Sequence, residues 1–77
     1  QYFDKVLSFS PTDLNALNNK GISLNRLKRH DEAIVCFDKA ISIDPDNIKA
    51  NNNKGLALID LKKYSEAVQC FERVLNI

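Results

Sequence analysis

The side chains in this chain with the most to offer chemically are amides. Asn18-Asn19 recurs thirty-four residues later as Asn52-Asn53, with Asn51 ahead of it, and each pair is followed by lysine and glycine, Lys20-Gly21 and Lys54-Gly55. A primary amide carries one acceptor and two donors, the complement of a peptide group in an extended ligand. Asparagine is also disfavoured in a helix interior by roughly 0.5 kcal/mol against alanine, because its side chain competes for backbone hydrogen bonds. Placing such runs inside helices therefore sacrifices local stability for some other purpose. Asparagine also serves near helix starts, where it satisfies loop and helix-end groups.

The groups that could support other chemistry are too few or wrongly spaced. Cys36 and Cys70 stand one full period apart, which puts them on successive helical layers about 10 Å from each other, whereas a disulfide needs Cα atoms within ~7 Å. His30 is the one histidine and no CxxC pair occurs, so zinc has no ligand set. There is no paired nucleophile and base and no glycine-rich phosphate loop; neither catalysis, a metal nor a cofactor is expected. Eleven basic against ten acidic residues give a net charge of +1, without the basic stripe that a nucleic-acid binder carries. No apolar run approaches the ~20 residues that cross a bilayer, and no signal segment opens the chain. A cytoplasmic setting is the resulting expectation. The first residue is Gln, which suggests a piece of a longer array.

The elements that position the amides repeat with the same period. Aligning 14–43 on 48–77 gives thirteen identities in thirty pairs, among them Gly21/Gly55, Ala33/Ala67, Cys36/Cys70 and Phe37/Phe71. A fixed period of this size indicates stacked supersecondary units. Pro11 and Pro45 break the helical pattern in register, and the Asp13 and Asn47 that follow can cap the next helix. A second kind of break precedes Asp31 and Ser65, which read as caps for the helices that follow. Apolar residues between breaks fall at spacings of three and four, as in Leu14, Leu17, Gly21, Leu24 and Leu27. The spacing predicts five helices, at about 1–8, 13–28, 31–43, 47–62 and 65–77. Gly21 and Gly55 each cost roughly 1 kcal/mol in a helix, so they are expected where a second helix must come close, with Phe37 and Phe71 filling the gap between layers.

The pattern Leu17-x2-Lys20-Gly21-x2-Leu24, Ala33-x3-Phe37 and Pro45, repeated as Asn51-x2-Lys54-Gly55-x2-Leu58 and Ala67-x3-Phe71, resembles the tetratricopeptide repeat. The resemblance runs the length of the chain, with Phe3 and Pro11 in the first fragment. It divides the sequence into the second helix and linker of a truncated repeat at 1–13, a complete repeat at 14–47, and a repeat lacking its last loop residues at 48–77. The implied fold is all-α, a right-handed α-solenoid of antiparallel helix pairs whose first helices line a concave groove. The implied function is protein–protein interaction. The chain departs from the family in having Asn51 at a usual large core position, expected to weaken its layer, and Lys20 and Lys54 at a usual leucine, with their ammonium groups expected in water.

On that frame the groove face of helix 13–28 carries Asn15, Asn18, Asn19, Ile22, Asn25 and Arg26. The equivalents on helix 47–62 are Lys49, Asn52, Asn53, Leu56, Ile59 and Asp60. The expected peptide-binding set is Asn15, Asn18, Asn19, Ile22, Asn25, Lys49, Asn52, Asn53 and Leu56, in which Asn19 and Asn53 form a backbone-reading ladder over an apolar floor of Ile22 and Leu56. Some members of the family clamp the acidic tails of heat-shock chaperones; Asn19 and Lys49 match two clamp members, but Asn53 stands where the clamp has arginine, the residue whose bidentate grip makes carboxylate capture selective. A second expectation is self-association through uncapped ends. It assigns Val68, Phe71, Val74 and Leu75, with Ile77, to one sticky face, and Tyr2, Phe3, Val6 and Leu7 to the other.

Overall fold

The computed structural model describes residues 13–76. The expected helix at 1–8, with Tyr2, Phe3, Val6, Leu7 and Pro11, and the terminal Ile77 lie outside the described residues. Among those described, all regular structure is helical: α1 spans Leu14–Arg26, α2 His30–Ile43, α3 Ile48–Asp60 and α4 Tyr64–Leu75. The connections are only three or four residues long, so each helix folds back on the one before it. Both first helices start as their sequences dictate. The Asp13 carboxylate accepts the Ala16 N–H at 2.9 Å, and the Asn47 amide oxygen accepts the Ala50 N–H at 2.8 Å, each satisfying a backbone donor that the first helical turn leaves open.

The second helices start differently from the sequence expectation. Asp31 and Ser65 are not caps; α2 begins at His30 after Arg29, and α4 at Tyr64 after Lys63, without a side-chain cap bond at either. The cause is the preceding turn. Lys28 and Lys62 both take the left-handed conformation, φ 62°. Lys28 N–H then donates to Asn25 O at 3.0 Å and Arg29 N–H to Leu24 O at 2.9 Å, with Lys62 to Ile59 and Lys63 to Leu58 at the equivalent places. This is the reciprocal bonding of a Schellman turn, which ends one helix and delivers the chain directly into the next. A residue with a Cβ pays roughly 1 kcal/mol for that conformation. Asp31 falls instead within the first turn of α2, beside Glu32, where the helix dipole favours acids. Glu32 also pairs bidentately with Arg29, and that hydrogen bond holds its carboxyl below the ordinary range.

The core lies where three helices meet. Leu24 of α1, Ala33, Cys36 and Phe37 of α2, and Ala57 of α3 form one cluster; Leu17, Ala40 and Ala50 form another from the same three helices. α4 contributes Ala67 to the buried set. The glycines explain the closeness of the pairs. A Cβ on Gly21 would lie 2.6 Å from Phe37 Cζ, and one on Gly55 2.6 Å from Phe71 Cζ, both far inside van der Waals contact. Lys54 is a correction to the expectation of a solvated ammonium, since its Nζ lies 2.7 Å from Asp38 Oδ1 on α2.

The two glycines are equivalent in sequence and unequal in surroundings. Phe37 is fully buried, 0% exposed, whereas Phe71 is half-buried and has room to withdraw. Gly21→Ala is expected to destabilise by about 1–3 kcal/mol through overpacking, and Gly55→Ala by distinctly less, partly offset by alanine's helix preference. Urea unfolding of the two variants would show this ordering; equal losses would refute it.

Candidate functional site

The expected amides divide into two groups once their neighbours are known. Asn18 is a correction to the peptide-binding set: it is 3% exposed, and its Nδ2 donates to Asn47 Oδ1 at 3.1 Å. Its own Oδ1 is buried without a hydrogen-bond partner among the described residues. Asn18 therefore ties α1 to the cap of α3. Asn51 is likewise internal, 1% exposed, with Nδ2 donating to Pro45 O at 3.2 Å and Asn47 O at 2.9 Å. Asn51 thereby braces the turn between the helix pairs through two of its carbonyls.

The remaining amides face outward, and a groove collects some of them. Ile22, Asn25 and Arg26 of α1 face Asn53, Leu56 and Asp60 of α3 across a depression of ≈ 340 Å³ with Phe37 of α2 at its base. Four of the expected residues meet there: Ile22, Asn25, Asn53 and Leu56. Asn15, Asn19 and Lys49 are exposed and Asn52 half-buried, outside this lining. Arg26 and Asp60, at the C-terminal ends of the same helix face, complete it. Phe37 was legible only as an interlayer filler, because its alignment with the groove depends on how α1 and α3 straddle it.

One polar contact fixes the end of the groove. His30, at the start of α2, bonds through Nδ1 to the Asn25 amide oxygen and lies 3.8 Å from Asp60 Oδ2. The imidazole thus stands between the two layers. No sequence signal marks this, since His30 and Asp60 are thirty residues apart and the equivalent of His30 is Tyr64.

Elsewhere the surface is less selective. A second depression of ≈ 270 Å³ beside α2, α3 and α4 includes Asp31, Asp38, Glu66, Lys54 and Lys63, whose mixed charges are partly satisfied by the Lys54–Asp38 pair. Of the expected self-association residues, Val68 and Leu75 are exposed, 52% and 84%, while Phe71 and Val74 are half-buried. Phe71 is turned onto Gly55 of its own pair, so only its outer side is free. Cys36 and Cys70 are not joined in a disulfide. Burial pushes the Cys70 thiol up, against the weaker pull of Lys54 and Arg73; a protonated thiol is a poor nucleophile. Among the described residues no group of three or more His, Cys, Asp or Glu is arranged to hold a metal, and no helix is long and apolar enough to cross a membrane.

Comparison with known proteins agrees with the helical-repeat fold. Residues 14–47 and 36–69 match two family models, each described as tetratricopeptide repeat. A crystal structure of MamA is similar over 96% of the chain and 43% of its own, with 28% identity and a TM-score of 0.90. The MamA RS-1 ArsTM double mutant is similar over 97% and 42%, with 27% identity and a TM-score of 0.91. The second TPR of Spaghetti (RPAP3), bound to the HSP90 peptide SRMEEVD, is similar over 95% of the chain and 68% of its own, with 26% identity and a TM-score of 0.89. The chain thus spans less than half the length of the MamA structures. No curated protein sequence gives a match.

The division of the asparagines has a measurable consequence. Asn47→Ala removes both a helix cap, worth ~1 kcal/mol, and the partner of the buried Asn18 amide, whose orphaning costs about 1–3 kcal/mol. Asp13→Ala removes the cap alone. Thermal unfolding should place Asn47→Ala below Asp13→Ala; the opposite order would show that Asn18 is not an internal tie.

Proposed function

The chain belongs to the tetratricopeptide repeat family, and from that premise we propose that it is a protein-interaction module holding an extended peptide or partner segment in the groove between α1 and α3. The observation that carries this reading is the convergence of Ile22, Asn25, Asn53 and Leu56 on one depression over Phe37. An apolar floor flanked by amides suits an extended chain, whose side chains bury on the floor while its peptide groups bond to the walls. Asn19, exposed on α1, extends the amide row begun by Asn53. Asn15, Lys49 and Asn52 form the outer margin. The structural relative bound to SRMEEVD supports a peptide as the class of ligand.

The finer architecture belongs to the same proposal. The helix pairs follow a right-handed superhelix of thirty-four-residue units, with the first groove-lining helix in the repeat 14–47 and the second in 48–77. The module acts by binding, without catalysis, cofactor or metal, in the cytoplasm, on protein and not on nucleic acid or membrane.

A second reading follows from one observation. Phe37 is fully buried where α3 covers it, while its equivalent Phe71 is half-buried and Val68 and Leu75 are exposed beside it. That face drives self-association or end-to-end stacking of a scaffold. Light scattering over a concentration series decides this: the weight-average mass should rise with concentration, and a dilution-independent monomer mass would rule it out.

The groove reading is tested by titrating ¹⁵N-labelled protein with a peptide selected on the chain by display. Amides of Asn19, Ile22, Asn25, Asn53 and Leu56 should shift before those of Val68 and Leu75. Joint substitution Asn19→Ala and Asn53→Ala should weaken binding roughly tenfold, about 0.7 kcal/mol for each of two net hydrogen bonds, with helix content retained. Shifts confined to α4, or unchanged affinity, would sink the groove.

A further inference from the structure

Three rows of equivalent positions run from one layer to the next across the groove face: Asn19 and Asn53, Ile22 and Leu56, Arg26 and Asp60, each pair thirty-four residues apart. The first two rows set like against like. The third reverses its charge, a guanidinium on α1 and a carboxylate on α3, both lining the groove. We infer that the occupant is a peptide of bipolar charge, with an acidic side chain toward Arg26 and a basic one toward Asp60, on either side of an apolar residue seated on Ile22 and Leu56. This rests on the groove reading above and adds to it the chemistry and orientation of the partner.

Folding accounts for Arg26 but not for Asp60. A cation in the last turn of α1 complements the negative end of the helix dipole, whereas a carboxylate in the last turn of α3 opposes it. Asp60 is also left largely unsatisfied within the chain. Its side chain is 51% exposed, and the approach of His30 Nδ1 is 3.8 Å, long beside the 2.7 Å between Lys54 and Asp38. His30 Nδ1 is moreover engaged by the Asn25 amide oxygen. The Asp60 carboxylate is thereby held at the boundary between the layers with acceptor capacity to spare. Arg26 is exposed as well, and no ion pair within the described residues claims it.

The spacing sets the pattern of the ligand. Packed helices lie about 8–10 Å apart, and an extended chain covers that distance in roughly three residues at ~3.3 Å each. The acid and the base should therefore stand about three positions apart, with the apolar residue between them. A ligand with carboxylates alone would meet repulsion at Asp60, and Lys49 is not in the lining to compensate. Opposite charges across a groove also fix direction, because the reversed ligand brings like charges together.

The experiment is a selection of displayed random dodecapeptides on the whole chain and on three variants, each checked for retained helix content by circular dichroism. The chain should enrich peptides carrying an acid and a base about three residues apart around an apolar side chain. Asp60→Lys should convert the enriched pool to acidic peptides, and Arg26→Glu with Asp60→Lys should restore bipolar ones in the opposite order. A bipolar peptide from the first pool should bind Asp60→Lys roughly fivefold more weakly by fluorescence anisotropy. Pools of the same charge composition on the chain and on Asp60→Lys overturn this inference alone. If Ile22→Asp with Leu56→Asp enriches the same peptides as the unsubstituted chain, or if that chain enriches none, the groove reading fails and this inference with it.

Discussion

The contact of the Phe37 ring with the bare backbone of Gly21 sets how closely α1 and α2 can lie. A methyl group at Gly21 would overlap the edge of the ring, so the closeness is available to glycine alone. With the pair drawn together, Ala33 and Ala40 are sealed and Phe37 reaches the third helix beside Ala57. The groove lies over that buried ring, with α1 and α3 on either side.

The polar residues complement this arrangement by defining the joints. Asn47 caps α3 and receives Asn18 from the neighbouring layer, and Asn51 holds the carbonyls of the turn that leads into it. Three amides thus specify the angle at which one helix pair meets the next. Hydrophobic burial is non-directional; hydrogen bonds between fixed donors and acceptors are not, and here they supply the registry that alanines cannot. The cost in helix propensity is local, and the return is a defined relation between layers.

How much of this was legible in the sequence follows from the range of each interaction. The helices and their pairing were readable because Gly, Ala and Phe recur at offsets set by contacts that every layer makes. The caps at Asp13 and Asn47 were readable because they act three residues away. Asp31 and Ser65 misled because Schellman turns usually announce themselves with glycine, and here lysine occupies the left-handed position. Asn18 lies on the apparently polar side of α1 and is nonetheless buried, its partner twenty-nine residues downstream. The same limit hid the meeting of His30 with Asp60. Of the candidate groove, Ile22, Asn25, Arg26, Asn53, Leu56 and Asp60 could be found by facial periodicity, whereas the ring of Phe37 beneath them and the approach of His30 required three helices in place.

The graded burial along the chain carries a meaning for cooperativity. Cys36, Phe37 and Ala40 are buried, and their equivalents Cys70, Phe71 and Val74 are half-buried, so identical helical units differ in how many neighbours protect them. In a one-dimensional array the free energy of opening a unit is its intrinsic term plus the interfaces that it breaks. α4 breaks one pairing when it opens, α2 breaks two. Amide exchange should accordingly run as a gradient from α4 inward, and the groove, built on α1, α2 and α3, sits on the slow side of it. A binding surface placed there stays preorganised when α4 opens.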